Sequence, residues 1–204
     1  MLRAALAGAA AISALTTLAA VHRYGPPPAH TGGFGERTCH ECHFDNDLNS
    51  PGGTLAVTGF PTAHEPGHIY ELGIVLTRPQ TELGGFQLAI RYADGPRKGN
   101  NAGVIVAKTR GVVLVDTLGV RYAQHTIEAT FPVLHDTIRW AILWTAPDAG
   151  GGRIALNVAA NAANGDDSPF GDFIYALEER TAARAGTAAS IHSADADRGV
   201  RSRE

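Results

Sequence analysis

The sequence predicts an all-β fold, an antiparallel sandwich or barrel of roughly seven to nine short strands. Two observations carry that prediction. Apolar residues recur at every second position in several separate runs, the period of a strand with one buried face. Between the runs lie turn formers, with 24 Gly and 11 Pro in 204 residues, and no stretch carries the 3.6-residue period of an amphipathic helix.

Taken in order, residues 1–20 are of a different kind. Met1-Leu2-Arg3 is a short positive start and Ala4 to Ala20 an uncharged run rich in Ala and Leu. Small residues at Leu18-Ala19-Ala20 suit a signal peptidase, so a cleaved signal peptide is expected, with an uncleaved membrane anchor as the alternative. Residues 21–35 form a Pro/Gly-rich lead-in. A β-sandwich is expected over residues 36–177, beginning with the segment that holds both cysteines.

The strands follow as Thr54–Thr58, Tyr70–Leu76, Phe86–Tyr92, Val104–Lys108, Val112–Val115, Arg121–His125, Thr137–Thr145, Arg153–Ala160 and Asp172–Leu177. In the longer runs the faces separate clearly. Tyr70, Leu72, Ile74 and Leu76 share one side; Phe86, Leu88, Ile90 and Tyr92 another, with Gln87 and Arg91 opposite; Ile138, Trp140, Ile142 and Trp144 a third; Ile154, Leu156 and Val158 a fourth. Each run is expected to bury one side and wet the other. Asp94-Gly95, Ala146-Pro147-Asp148 and Asn164-Gly165-Asp166 are turn signals. Residues 178–204, rich in Ala, Arg, Ser and Asp, lack periodicity and read as a polar tail without fixed structure. A net charge of −3 and a pI near 6.3 leave no basic footprint for nucleic acid.

Chemistry concentrates in Thr38-Cys39-His40-Glu41-Cys42-His43, a C-x-x-C-H motif. Its spacing lets two thiols reach the two vinyl groups on one edge of a porphyrin while the adjacent imidazole comes under the iron. One covalent haem c is therefore expected, held by Cys39 and Cys42, with His43 as proximal ligand. Attachment of such a haem outside the cytoplasm fits the leader. Other readings of the same residues are a Cys39–Cys42 disulfide, which leaves His43 without a role, and a zinc site of Cys39, Cys42, His64 and His68. The zinc gap is long, and Pro66-Gly67 keeps the two histidines off a regular helix. A thioredoxin-like pair would need a βαβ pattern that is missing.

The only Met is Met1, so a sixth iron ligand would come from His40, His64, His68, His125, His135 or His192, or from water. His125, at the end of a predicted strand, is best placed, and an ordinary turn histidine is the alternative. Bis-His ligation implies a low midpoint potential. An EF-hand at Asp45-x-Asp47-x-Asn49 is excluded by Ser50 and Ala56 at its glycine and glutamate positions. Asn164, Asp166, Asp167 and Asp172 form a second, weaker cation candidate. No catalytic constellation stands out, so an electron carrier is expected rather than an enzyme.

The order of motifs resembles bacterial secreted proteins with a Reeler-like, choice-of-anchor V domain. The pieces are Thr31-Gly32-Gly33-Phe34-Gly35-Glu36 before the C-x-x-C-H, Pro66-Gly67-His68-Ile69-Tyr70, Gly85-Phe86-Gln87-Leu88, Ala102-Gly103, Gln124-His125-Thr126, Trp144-Thr145-Ala146-Pro147, Ala160 to Gly165, and Gly171-Asp172-x-Ile174-Tyr175. The resemblance covers about Thr31 to Leu177. It implies an immunoglobulin-like antiparallel sandwich, secreted or surface-located, and favours His125 as distal ligand. The polar tail departs from the family's surface-anchoring segments. The expectation is thus an exported monohaem c-type cytochrome, periplasmic or extracellular, with a redox partner protein or other copies of itself as partners. It would touch a membrane only through an uncleaved leader. The alternative is a secreted, non-redox binding or adhesion sandwich stapled by a Cys39–Cys42 disulfide.

Overall fold

The computed structural model describes residues 24–184; the expected signal peptide, His192 and most of the expected tail lie outside them. Ten strands form in the order β1 (Thr54–Thr58), β2 (Ala63–His64), β3 (Ile69–Thr77), β4 (Leu83–Tyr92), β5 (Val104–Ala107), β6 (Val112–Thr117), β7 (Val120–His125), β8 (Thr137–Thr145), β9 (Ile154–Ala163) and β10 (Phe173–Ala183). They make two sheets, a four-stranded one ordered β1-β3-β8-β5 and a six-stranded one ordered β2-β10-β9-β4-β7-β6. All named pairings are antiparallel except the short parallel contact of β10 with β2. The chain is an all-β sandwich.

The core is the sum of the inward periods. Leu72, Ile74 and Leu76 from β3 and Ile138, Trp140, Ile142 and Trp144 from β8 meet Phe86, Leu88 and Ile90 from β4 and Ile154, Leu156 and Val158 from β9. Both tryptophans keep their indole N–H satisfied while buried, Trp140 donating to the Ala129 carbonyl at 2.6 Å and Trp144 to the Ala102 carbonyl at 2.8 Å.

The structure departs from the one-sided expectation on the six-stranded sheet. Gln87 and Arg91, expected to face water, are buried, as are Ala155, Asn157 and Ala159 on the same side of β9. The N-terminal segment lies over this face. Gln87 reaches it from β4, its amide donating to the Pro27 carbonyl at 3.0 Å and accepting from the His30 N–H at 2.7 Å. Arg91 donates to Glu36 at 2.6 Å, and Tyr122 adds a hydroxyl to the same carboxylate at 2.7 Å. A buried charge stays buried only when paired and hydrogen-bonded; here the Arg91 charge is paired with Glu36, while its Nε has no partner.

The expected boundary at Leu177 also moves. β10 continues through Ala183, pairing Glu178, Glu179, Arg180 and Thr181 with Asn157, Leu156, Ala155 and Ile154. Its polar composition hid it, because the ladders of β9 and, at Ala182 and Ala183, of β2 supply the order that residues 178–183 lack on their own.

Candidate cofactor site

Cys39 opens a short 3-10 turn, Cys39–Glu41, packed against the six-stranded sheet, and Cys42 caps its C-terminal end. Thr38 caps the N-terminal end, its hydroxyl accepting from the His40 N–H at 3.2 Å. The His43 N–H then bonds to the Cys39 carbonyl at 3.1 Å. One turn of chain therefore carries the three motif side chains. Burial of the Cys39 thiol pushes its pKa up to about 12, against a backbone hydrogen bond that lowers it and the Cys42 charge that raises it. A thiol held so firmly protonated is the reverse of an activated thioredoxin-type cysteine.

Cys39, Cys42, His43 and His125 line one cavity of about 750 Å³. Its other walls are Pro26, Pro27 and His30 from the lead-in, Leu83, Gly84 and Gly85 from β4, Thr130, Asn161 and Ala163, and the turn Gly165–Asp172. The walls are mostly apolar with a few convergent polar groups, in the size range of cofactor sites, roughly 300–1,000 Å³.

His125 enters from the end of β7. The β4–β7 ladder stops at Gln87↔Gln124. One step on, the Phe86 N–H donates to His125 Nδ1 at 2.9 Å, and the Phe86 carbonyl lies 3.2 Å from the same nitrogen. Nδ1 can accept from one or donate to the other; the second tautomer leaves the Nε2 lone pair free. Burial holds the His125 pKa below the ordinary histidine value, with the Phe86 hydrogen bond working the other way. The ring is thus neutral, the form that binds a metal. Gly85 makes room for it, since a Cβ there would overlap the imidazole.

His43 is held differently. Its Nδ1 lies 2.7 Å from Asp172 Oδ2. Asp172 is fully buried and also accepts from Asn161 Nδ2 at 3.0 Å and from the Asn164 N–H at 3.2 Å. A carboxylate on Nδ1 assigns the proton to that nitrogen and leaves Nε2 as the acceptor. The buried Asn161 Oδ1, in the cavity wall, has no partner.

The structure therefore brings together Cys39, Cys42, His43 and His125, and the remaining sequence candidates fall elsewhere. His64 is buried on β2, hydrogen-bonded to Thr181 at 3.3 Å and edge-on to Trp144. His68 packs against Tyr70. The zinc alternative fails because both are tied to the other end of the sandwich. His40 bonds to the Asn46 carbonyl at 3.0 Å, and His135 is exposed beside Asp136. Residues of the acidic-turn cation candidate are engaged with one another and with the motif. Asp172 turns inward to His43, Asn164 bonds to Asp166 and Phe170, and no group of three or more acidic, His or Cys side chains converges on a metal position among the described residues.

Sequence reasoning missed Gly85, Asn161 and the role of Asp172. It also missed His30, whose ring spans from the Pro28 carbonyl at 3.0 Å to Glu41 at 3.1 Å and joins the lead-in to the cysteine turn. The Gly84-Gly85 pair at a strand start was the one available signal, because glycine inside a strand marks a close approach.

No known family matches the chain by sequence, and no curated protein does. Solved structures resemble it in fold. The human F-spondin reeler domain aligns at 17% identity with a TM-score of 0.46, covering 69% of this chain and 96% of that one. AvmM, described as catalysing macrocyclisation in alchivemycin A biosynthesis, aligns at 12% identity with a TM-score of 0.45, covering 70% and 94%. A conjugative transposon lipoprotein from Bacteroides eggerthii aligns at 15% identity with a TM-score of 0.30, covering 65% and 98%. These are likenesses of fold, and they bring neither cofactor nor activity to this chain.

Proposed function

We propose that the chain is an exported monohaem c-type cytochrome that carries electrons, with Cys39 and Cys42 as thioether anchors, His43 as proximal ligand and His125 as distal ligand. The observation that carries this reading is the convergence of all four side chains on one apolar cavity, although His125 lies far from the motif in sequence. The residues fit the group. The space is large enough, Gly85 leaves room for the His125 ring, and each imidazole has an Nδ1 partner that can leave Nε2 free.

Haem c, when bound, supplies one iron centre that holds or releases a single electron. The chain's own contributions are anchoring, orientation and exclusion of water. Each thiol adds across one vinyl group, sulfur to one carbon and hydrogen to the other, with no net oxidation. Pro26, Pro27, Leu83 and Phe170 line the cavity and would shield a bound ring from water. With both imidazoles as ligands, a bound iron would have no open coordination position, which favours an electron carrier over a catalyst. The signal-like leader and the C-x-x-C-H support a position in the periplasm or outside the cell, and the reading takes a redox partner protein or another copy as partner.

A pyridine haemochrome spectrum of chain made alongside cytochrome c maturation tests this. A c-type α-band that survives acid–acetone extraction is expected. A colourless protein with Cys39 joined to Cys42 overturns the reading and leaves a stapled secreted sandwich that binds rather than transfers.

A further inference from the structure

Building on the cytochrome reading, we propose that Asp172 is a positioning residue for His43. Its buried carboxylate takes the Nδ1–H, turns Nε2 toward the iron position and biases a bound iron toward its oxidised state.

The carboxylate is built in rather than incidental. Asp172 is 1% exposed. Its oxygens accept from Asn161 Nδ2 at 3.0 Å and the Asn164 N–H at 3.2 Å, and its own carbonyl accepts from Asn46 Nδ2 at 2.9 Å. The end of β9 and the turn after it therefore fix the side chain, and the loop that follows the motif fixes its backbone. Among the described residues its ion-pair partner is His43, at 2.7 Å, with no Lys or Arg beside it. The negative charge is met by N–H dipoles and by whatever positive charge His43 borders.

That geometry has an electrostatic consequence. Oxidised iron carries one more positive charge than reduced iron, and in a poorly solvated site a nearby fixed anion stabilises the more positive state. A carboxylate on Nδ1 also makes the imidazole a stronger donor. His125 lacks this device, since its Nδ1 faces the backbone of Phe86. The two ligands are thus unequal, and the inequality rests on one replaceable residue.

The test is a redox titration of the haem-loaded full chain and its Asp172→Asn and Asp172→Glu variants, with the optical spectrum recorded alongside. Asp172→Asn is expected to stay low-spin and six-coordinate while its reduction equilibrium moves about tenfold toward the reduced form, close to 59 mV for one electron. Asp172→Glu, which keeps the charge, is expected to return most of that shift. An unmoved midpoint in Asp172→Asn, or equal shifts in both variants, overturns the inference. Should neither variant fold, NMR of the reduced wild-type protein decides: the His43 Nδ1 proton is expected well downfield of its His125 counterpart, and the reverse order overturns the inference. Wild-type protein without c-type haem sinks the cytochrome reading itself, whereas loaded wild type with an indifferent Asp172→Asn sinks only this proposal.

Discussion

The two sheets of the sandwich share one core yet solve their outer faces in opposite ways. The four-stranded sheet leaves its outer side open, with Ile69, Val104 and Val106 exposed and Lys108 paired to Glu71 in solvent. The six-stranded sheet carries the N-terminal segment over its outer side, so its β4 and β9 are buried on both faces. A strand buried on two sides has nowhere to put polar groups except against the covering chain. Gln87 and Arg91 are therefore anchors rather than solvated side chains. Covering the sheet also creates the site: the cavity lies between the N-terminal segment and the ends of β4, β7 and β9.

Removing an anchor on the covered face should have the largest effect. Arg91→Ala strands the Glu36 carboxylate in a half-dry cluster and is expected to destabilise by about 3–5 kcal/mol in denaturant titration, the range for breaking a buried pair. A change under ~1 kcal/mol would show that the face is wetter than described. Gly85→Ala should cost about 1–3 kcal/mol through overpacking against His125, and in haem-loaded protein it should shift the spectrum from low spin. Gly73→Ala, whose nearest obstacle is the exposed Thr58 hydroxyl, should leave both readouts near wild type. Gln87→Ala leaves the Pro27 carbonyl and the His30 N–H unmatched, for about 1–3 kcal/mol, and should expose residues 27–30 to proteolysis before the core unfolds. Equal protection in variant and wild type would contradict the anchoring role.

A fourth test uses acidity. Burial holds the His64 pKa below its ordinary value, so the unfolded chain binds the proton more readily than the folded one. Stability contributed by neutral His64 is present above the unfolded pKa and falls as pH drops below about 6.5. His64→Gln should flatten that part of the stability–pH curve; an unchanged slope rules the group out. The smallest effect is expected on the open face. Lys108→Ala, losing a solvent-exposed pair, should change stability by no more than about 0.5 kcal/mol.

Most of the strand plan was legible because period-2 alternation is local, and Thr54–Thr58 and Thr137–Thr145 fall where the residues predict. β2 and the end of β10 were not legible. Ala63–His64 is a strand only by lying beside Ala182 and Ala183, and residues 178–181 owe their order to β9. At the site, the motif announces Cys39, Cys42 and His43 through spacing alone. Placement of His125 in the same cavity rests on the β4–β7 pairing, and Asp172 looked like one more acid in a turn until β9 and β10 brought it against His43.

Local rules thus determined the all-β class, the inward residues of each strand and the three motif side chains, since alternation and motif spacing are properties of neighbouring residues. Only the tertiary structure decided that the motif segment covers one sheet, that Gln87 and Arg91 are buried, and that His43 and His125 face a common space. Those facts depend on contacts between residues 39–57 positions apart or more, and no local pattern encodes which distant partner a polar side chain will meet.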